Sequence, residues 1–316
     1  MRAHWAFALL ALAGCGDDSA AMMPDLSMQA AADLAMPAIP DMAVQRGPLT
    51  VPLHFEPDGL WWDAATQKLY LANDGGNQIV TWDDSGHIAV AALLPLVNSS
   101  GGLGQLVKLA DGTIVVTRFG FGVNGGIVVV KPDGSSAVVA GLDPKRRRVG
   151  LAVGADGATL YETYFSNGAT AGTHVGAVAQ LSITGTAAET DVITGLQKPV
   201  GVIALGGQLY VSDQDQGVVF KQAIGTPGTG ASFATAPGCD LLAAGPSGAL
   251  LSGGKTGVVY RIAGDGTVTD ADSGLRATRG VAYDADHKRL FFAEPDGAFV
   301  PDAGEQAALH IIPIDN

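Results

Sequence analysis

The stretch Gly59–Ser85, GLWWDAATQKLYLANDGGNQIVTWDDS, constrains the whole chain, because variants of it recur to the C-terminus. An apolar start follows a glycine (Gly59, Leu60, Trp61, Trp62). A polar turn (Ala64–Lys68) leads to a second apolar run (Leu69–Ala72). A short polar loop (Asn73–Gly76) leads to a third run (Gln78–Trp82) and an Asp-Ser-Gly turn. Runs this short, bounded by Gly, Asn and Asp, read as strands. The starts align at Gly59-Leu60, Gly104–Leu106, Gly150-Leu151, Gly201-Val202, Leu241-Leu242 and Gly280-Val281. Their spacing of roughly 40–50 residues is the period of propeller blades.

Second strands align as Leu69–Ala72, Ile114–Thr117, Leu160–Thr163, Leu209–Ser212, Leu250–Ser252 and Leu290–Ala293. Third strands align as Gln78–Trp82, Gly126–Val130, Ala177–Ser182, Val218–Lys221, Val258–Arg261 and Ala308–Pro313. Fourth strands follow in every repeat except the last, after which the sequence ends at Asn316. Leu49–His54 precedes the first repeat and has no partner, so it is expected to be the outermost strand of the last blade. Pro52 suits that place, since an edge strand tolerates proline. The expected fold is therefore an all-β, six-bladed β-propeller over residues 48–316, closed by an N-terminal strand. Asp58 and Arg279 then hold equivalent positions in blades that adjoin at the closure, and an ion pair between them is expected.

Strand direction sorts the loops onto two faces. Loops between first and second strands and between third and fourth strands share one face and carry regular turns such as Asp111-Gly112 and Asp265-Gly266, the chemistry of tight hairpins. The other face carries the irregular second-to-third loops and the blade connections, where function concentrates. The chain has 31 acidic and 18 basic residues, a net charge of −13. An acidic surface repels phosphate backbones and argues against nucleic acid as a partner.

The N-terminus reads Met1-Arg2-Ala3-His4, then the short apolar run Trp5–Ala13, then Gly14-Cys15. One basic residue before a run too short to span a bilayer describes an export signal. Leu12-Ala13-Gly14-Cys15 resembles a bacterial lipobox, which implies cleavage before Cys15 and a lipid on its thiol. Residues 1–14 are thus expected to be the signal peptide, with residues 15–47 the lipidated Cys15 and a disordered Met-, Pro- and Ala-rich linker. The expected location is the cell envelope, anchored to the membrane through Cys15. Gly16, where an Asp would hint at inner-membrane retention, points to the outer membrane. Cys239 is left without a disulfide partner and reads as a small buried hydrophobe.

The blade pattern, best expressed in Pro57-Asp58-Gly59-Leu60-Trp61-Trp62-Asp63 with Leu69-Tyr70, resembles the regucalcin–gluconolactonase family and related NHL-type and strictosidine-synthase-like propellers. The gluconolactonase resemblance implies a divalent metal in the central channel, held by a Glu, two Asn and an Asp at blade starts. The first position corresponds to Asp58. The second falls near Gly104, the third on Val149 and the fourth on Val200. Glycine and valine side chains offer no oxygen to a hard cation. Asp58 is thus the only matched ligand position.

No G-x-S-x-G elbow is present, and the histidines are scattered. Two features of the irregular face suggest ligand binding. Arg118-Phe119-Gly120-Phe121 ends a second strand, and Lys145-Arg146-Arg147-Arg148 enters the next blade. Arg118, Arg147 and Arg148 suit carboxylate or phosphate recognition, and Phe119 and Phe121 could stack on a ligand. Asp213 and Asp215 form a further candidate pair in a second-to-third loop, without the remaining ligands of a calcium loop. The leading expectation is a monomeric, non-catalytic, membrane-tethered propeller that binds a small anionic ligand or an envelope protein. The alternative is a gluconolactonase-like lactone or ester hydrolase with a rearranged divalent-metal site.

Overall fold

The computed structural model describes residues 48–96, 102–120, 124–184, 187–295 and 306–315. The expected signal peptide, Cys15 and the linker lie outside the described residues. The first strand, β1 (Leu49–Pro52), stands apart in sequence from the four-stranded blades that follow. Blade 1 is β2 (Pro57–Asp63), β3 (Lys68–Asn73), β4 (Gln78–Trp82) and β5 (Ile88–Leu93). Blade 2 is β6 (Gly102–Lys108), β7 (Ile114–Phe119), β8 (Gly126–Val130) and β9 (Ser136–Val138). Blade 3 is β10 (Arg147–Val153), β11 (Leu160–Asn167), β12 (His174–Ser182) and β13 (Ala188–Leu196). Blade 4 is β14 (Pro199–Leu205), β15 (Gln208–Asp213), β16 (Val218–Ala223) and β17 (Ala231–Thr235). Blade 5 is β18 (Cys239–Ala244), β19 (Leu250–Gly254), β20 (Val258–Ile262) and β21 (Val268–Ser273). Blade 6 is β22 (Val281–Asp284), β23 (Arg289–Glu294), β24 (Ala308–Pro313) and, returning from the N-terminus, β1. All pairings within blades are antiparallel, as hairpin connections require.

Side chains alternate along each strand, so one blade feeds two cores. Tyr70 packs towards blade 2 while its neighbour Leu71 packs towards blade 6. The apolar clusters accordingly lie between blades. Leu60, Leu71 and Trp82 meet Phe291 and Leu309 at the closure, and Leu251 and Val259 meet Leu290 and Phe292 one seam earlier. Cys239 is buried in the seam between blades 4 and 5, and burial pushes its thiol up to about 12, an inert hydrophobe in the core.

Closure follows the expected course. Thr50 pairs with His310 and Val51 with Leu309, and the Leu53 amide donates to the Ala307 carbonyl at 2.7 Å. Leu53 is 1% exposed within the seam cluster. An ion pair reinforces the seam on the regular face, where Arg289 grips Asp84 of blade 1 through Nη1 at 2.6 Å and Nη2 at 3.2 Å. Leu53→Ala is expected to cost about 2–5 kcal/mol, the range for truncating a buried leucine. A denaturant midpoint equal to that of the parent would show that the N-terminal strand does not close the ring.

Candidate functional site

The channel is divided by glycines. A Cβ on Gly59, Gly104, Gly150, Gly201 or Gly280 would run into backbone of the next blade, for example the Val200 carbonyl at 2.5 Å from Gly150 and the Asp240 carbonyl at 2.6 Å from Gly201. Blade 5 has Leu241 at that register, and there Gly253 of β19 takes over, pressed against the Arg279 carbonyl. Hydroxyls in the second strands tie neighbouring blades at the same level. Thr117 donates to the Val149 carbonyl at 2.5 Å, Thr163 to that of Val200 at 3.2 Å, and Ser212 to that of Asp240 at 2.6 Å.

Residues that follow the blade-start register line a cavity of about 320 Å³, walled mainly by apolar side chains such as Leu60, Val107, Leu151, Val202 and Leu242. Residues just before that register form the floor of a second cavity, of about 490 Å³, on the irregular face, lined by charged and aromatic side chains. That floor carries Val149, Val200, Asp240 and Arg279. Around it stand Phe119, Arg147, Phe165, Lys198, Gln214 and Lys255. The basic residues come from four successive blades: Arg147 opens β10, Lys198 precedes β14, Lys255 follows β19 and Arg279 precedes β22.

These cations are close enough to repel. Burial, and then Arg279, lower the pKa of Arg147, and burial, and then Lys255, lower that of Lys198. The Arg147 guanidinium lies 5.1 Å from the Phe119 ring and 5.6 Å from the Phe165 ring, so the aromatic faces hold it in place. Arg279 Nη1 donates to Asp58 Oδ2 at 2.9 Å across the closure, the ion pair expected from the repeat register. Burial pushes the Asp58 carboxyl up to about 7, with Arg279 opposing the rise. A folded-state value above the ordinary 3.8 means that this group's contribution to stability falls as pH rises from about 4 to 7. Asp240 is likewise raised by burial, opposed by Arg279 and Lys198, and its Oδ2 accepts from Gln214 at 3.0 Å.

The sequence-derived candidates divide. Arg147 and Phe119 line the cavity. Phe121 lies outside the described residues. Arg118 is placed elsewhere: it is 2% exposed, and its Nη2 donates to Asn77 Oδ1 at 2.6 Å and the Pro95 carbonyl at 2.8 Å. Strand alternation turns Arg148 away from its neighbour Arg147 and into blade 3. It is 1% exposed and bonded to Glu189, with Nε 3.1 Å from Glu162 Oε2. Burial, and then hydrogen bonding to Glu189, hold the Glu162 carboxyl well above its ordinary range. Asp213 is buried and organises its loop by accepting from the Gln197 amide at 2.6 Å and the Gln216 amide at 3.1 Å. Asp215 faces blade 3, 2.7 Å from His174 Nδ1. The sequence missed Lys198, Lys255, Asp240 and Phe165. Asp240 was open to detection as the blade 5 counterpart of Asp58 and Arg279.

A divalent cation does not fit this donor set. Val149 and Val200 present hydrocarbon, Leu103 stands buried beside Gly104, and Asp58 Oδ2 is already taken by the Arg279 guanidinium. No group of three or more potential ligands that could hold a metal occurs among the described residues.

No protein-family profile matches the sequence. No curated protein matches it either. Solved structures do. A luciferin-regenerating enzyme is similar with a TM-score of 0.65 at 14% identity, covering 85% of this chain and 96% of its own. The calcium-binding protein regucalcin from Agrobacterium tumefaciens gives 0.63 at 16%, with 84% and 93% covered. A gluconolactonase from Xanthomonas campestris gives 0.63 at 18%, with 84% and 89% covered. The fold is that of the regucalcin- and gluconolactonase-type six-bladed propellers. Among the described residues, Arg147, Lys198, Lys255 and Arg279 line its mouth together with one acid, Asp240.

Arg148→Ala would leave Glu162 and Glu189 buried together with only Arg146, 4.0 Å from Glu189 Oε1, as a neighbouring cation. The expected loss is about 3–5 kcal/mol, read as a lower denaturant midpoint. Unchanged stability would mean that Arg148 is free of that pairing.

Proposed function

We propose that the protein is an extracytoplasmic binding protein whose propeller takes a small anionic ligand in the mouth of its channel. The carrying observation is the convergence of Arg147, Lys198, Lys255 and Arg279 on one cavity of a chain with net charge −13. Crowded like charges repel. An anion seated among them relieves that repulsion. The apolar half of the floor, Val149 and Val200, and the nearby Phe119 suit a ligand with a hydrocarbon or ring portion.

The second reading is a lactone or ester hydrolase, favoured by likeness of fold to a gluconolactonase. It needs a catalytic arrangement other than the four-ligand metal set, because that set is absent. Turnover of a lactone or ester panel, abolished by Lys255→Ala, would support it over simple binding.

Naphthalene-1,5-disulfonate tests the binding reading, since its two sulfonates stay ionised across the working pH range. Calorimetric titration is expected to show one site whose affinity falls as salt is raised. Lys255 is exposed, so Lys255→Ala should weaken binding about tenfold, within the range for hydrogen bonds to charged groups, and leave the melting temperature unchanged. Salt-independent binding, or equal affinity in the variant, would contradict a cationic site.

The tether belongs to the same proposal. Lipid chains on Cys15 would hold the propeller at the membrane, each buried methylene contributing about 0.8 kcal/mol. Cys15→Ala expressed in a bacterial host is expected to move the protein from the membrane fraction to the soluble extract. Continued membrane association would rule out this anchor.

A further inference from the structure

The donor set that rejects a metal also shows what takes its place. Asp58 is the one carboxylate at a position where the family resemblance implies a metal ligand, and its side chain is 5% exposed. Its partner is Arg279, whose Nη1 lies 2.9 Å from Asp58 Oδ2 and whose own side chain is 35% exposed. Asp240 and Asp74 also act on this guanidinium, after Asp58, and together they raise its pKa. One side of Arg279 is thus fixed to the floor. Its Nε and Nη2 have no hydrogen-bond partner among the described residues, and the residue lines the cavity.

We infer that Arg279 is a built-in cation of the channel, anchored by Asp58, and that it binds the ligand's oxyanion directly where a divalent ion would otherwise be needed. The inference rests on the anion-binding reading above and adds its chemistry: an oxyanion, meaning a carboxylate, sulfonate or phosphate, met by a guanidinium without any metal. Geometry supports the division of labour. A guanidinium is a planar fork with five donors, so one edge can be held by a carboxylate while another meets an anion. An ammonium has no such second edge. Arg279 also sits in the one blade-start position that neighbours Asp58 across the closure, next to Gly280, where a Cβ would collide with the Asp58 carbonyl. The blade contact itself therefore fixes the distance between anchor and cation.

The test uses the full chain with naphthalene-1,5-disulfonate. Protein treated with a chelator is expected to bind the probe as tightly as untreated protein, and added calcium should change nothing. Arg279→Ala should bind at least about tenfold more weakly, and methylguanidinium added at millimolar concentration should restore a large part of the loss. Arg279→Lys should recover less, because the three donors of an ammonium sit on one nitrogen and cannot meet anchor and ligand along separate edges. A structural role alone would give a lower melting temperature without rescue by methylguanidinium, and would overturn the inference. So would loss of probe binding on chelation with recovery on adding calcium, which would assign the positive charge to a metal. Absence of binding by the parent at low salt would instead overturn the anion-binding reading itself, a result distinct from both.

Discussion

Backbone meets backbone at every seam of the propeller, and that contact depends on six positions without a side chain. Gly59, Gly104, Gly150, Gly201 and Gly280 in the first strands, and Gly253 in the second strand of blade 5, let the next blade approach to within carbonyl contact. Any Cβ there would push two blades apart. Thr117, Thr163 and Ser212 bond across the same level and fix the approach in three of the seams. The waist this makes separates an apolar cavity below from one above that carries the charged side chains.

The waist also decides which residues can do chemistry. The side chains just before the blade-start register of blades 3 to 6 are carried to the foot of the mouth. In this chain those that line it are Val149, Val200, Asp240 and Arg279, with Asp58 paired to Arg279, while Leu103 packs into the core between blades 1 and 2. Two of these lining residues are hydrocarbon, one is an acid and one is a base, so the floor is apolar on one side and charged on the other. With an arginine beside the acid, the site has its own counter-ion. Arg147, Lys198 and Lys255 bring further positive charge to the same cavity.

The repeat made much of this legible in the sequence. Alternation and glycine spacing located the blades, the unpaired Leu49–His54 segment located the closure, and equivalent register placed Asp58 opposite Arg279. The basic run Lys145–Arg148 was harder, because charge alone does not show strand parity. Arg147 and Arg148 are neighbours that face opposite ways, and only the partner strands that bring Glu162 and Glu189 reveal which one is buried. Arg118 is absorbed in the same manner by Asn77 and the Pro95 carbonyl, groups far away in sequence. Lys198 and Lys255 escaped notice because each is a lone residue in an irregular loop, with no pattern to mark it.

Diffraction from iodide-soaked crystals tests the central claim most directly, since iodide carries a strong anomalous signal and is read without knowing the natural ligand. An iodide peak in the channel mouth, touching Arg279 and one or more of Arg147, Lys198 and Lys255, is the expected result, with the Asp58–Arg279 pair intact beside it. Iodide confined to the outer surface, or a cation coordinated by Asp58 with Arg279 turned away, would contradict it.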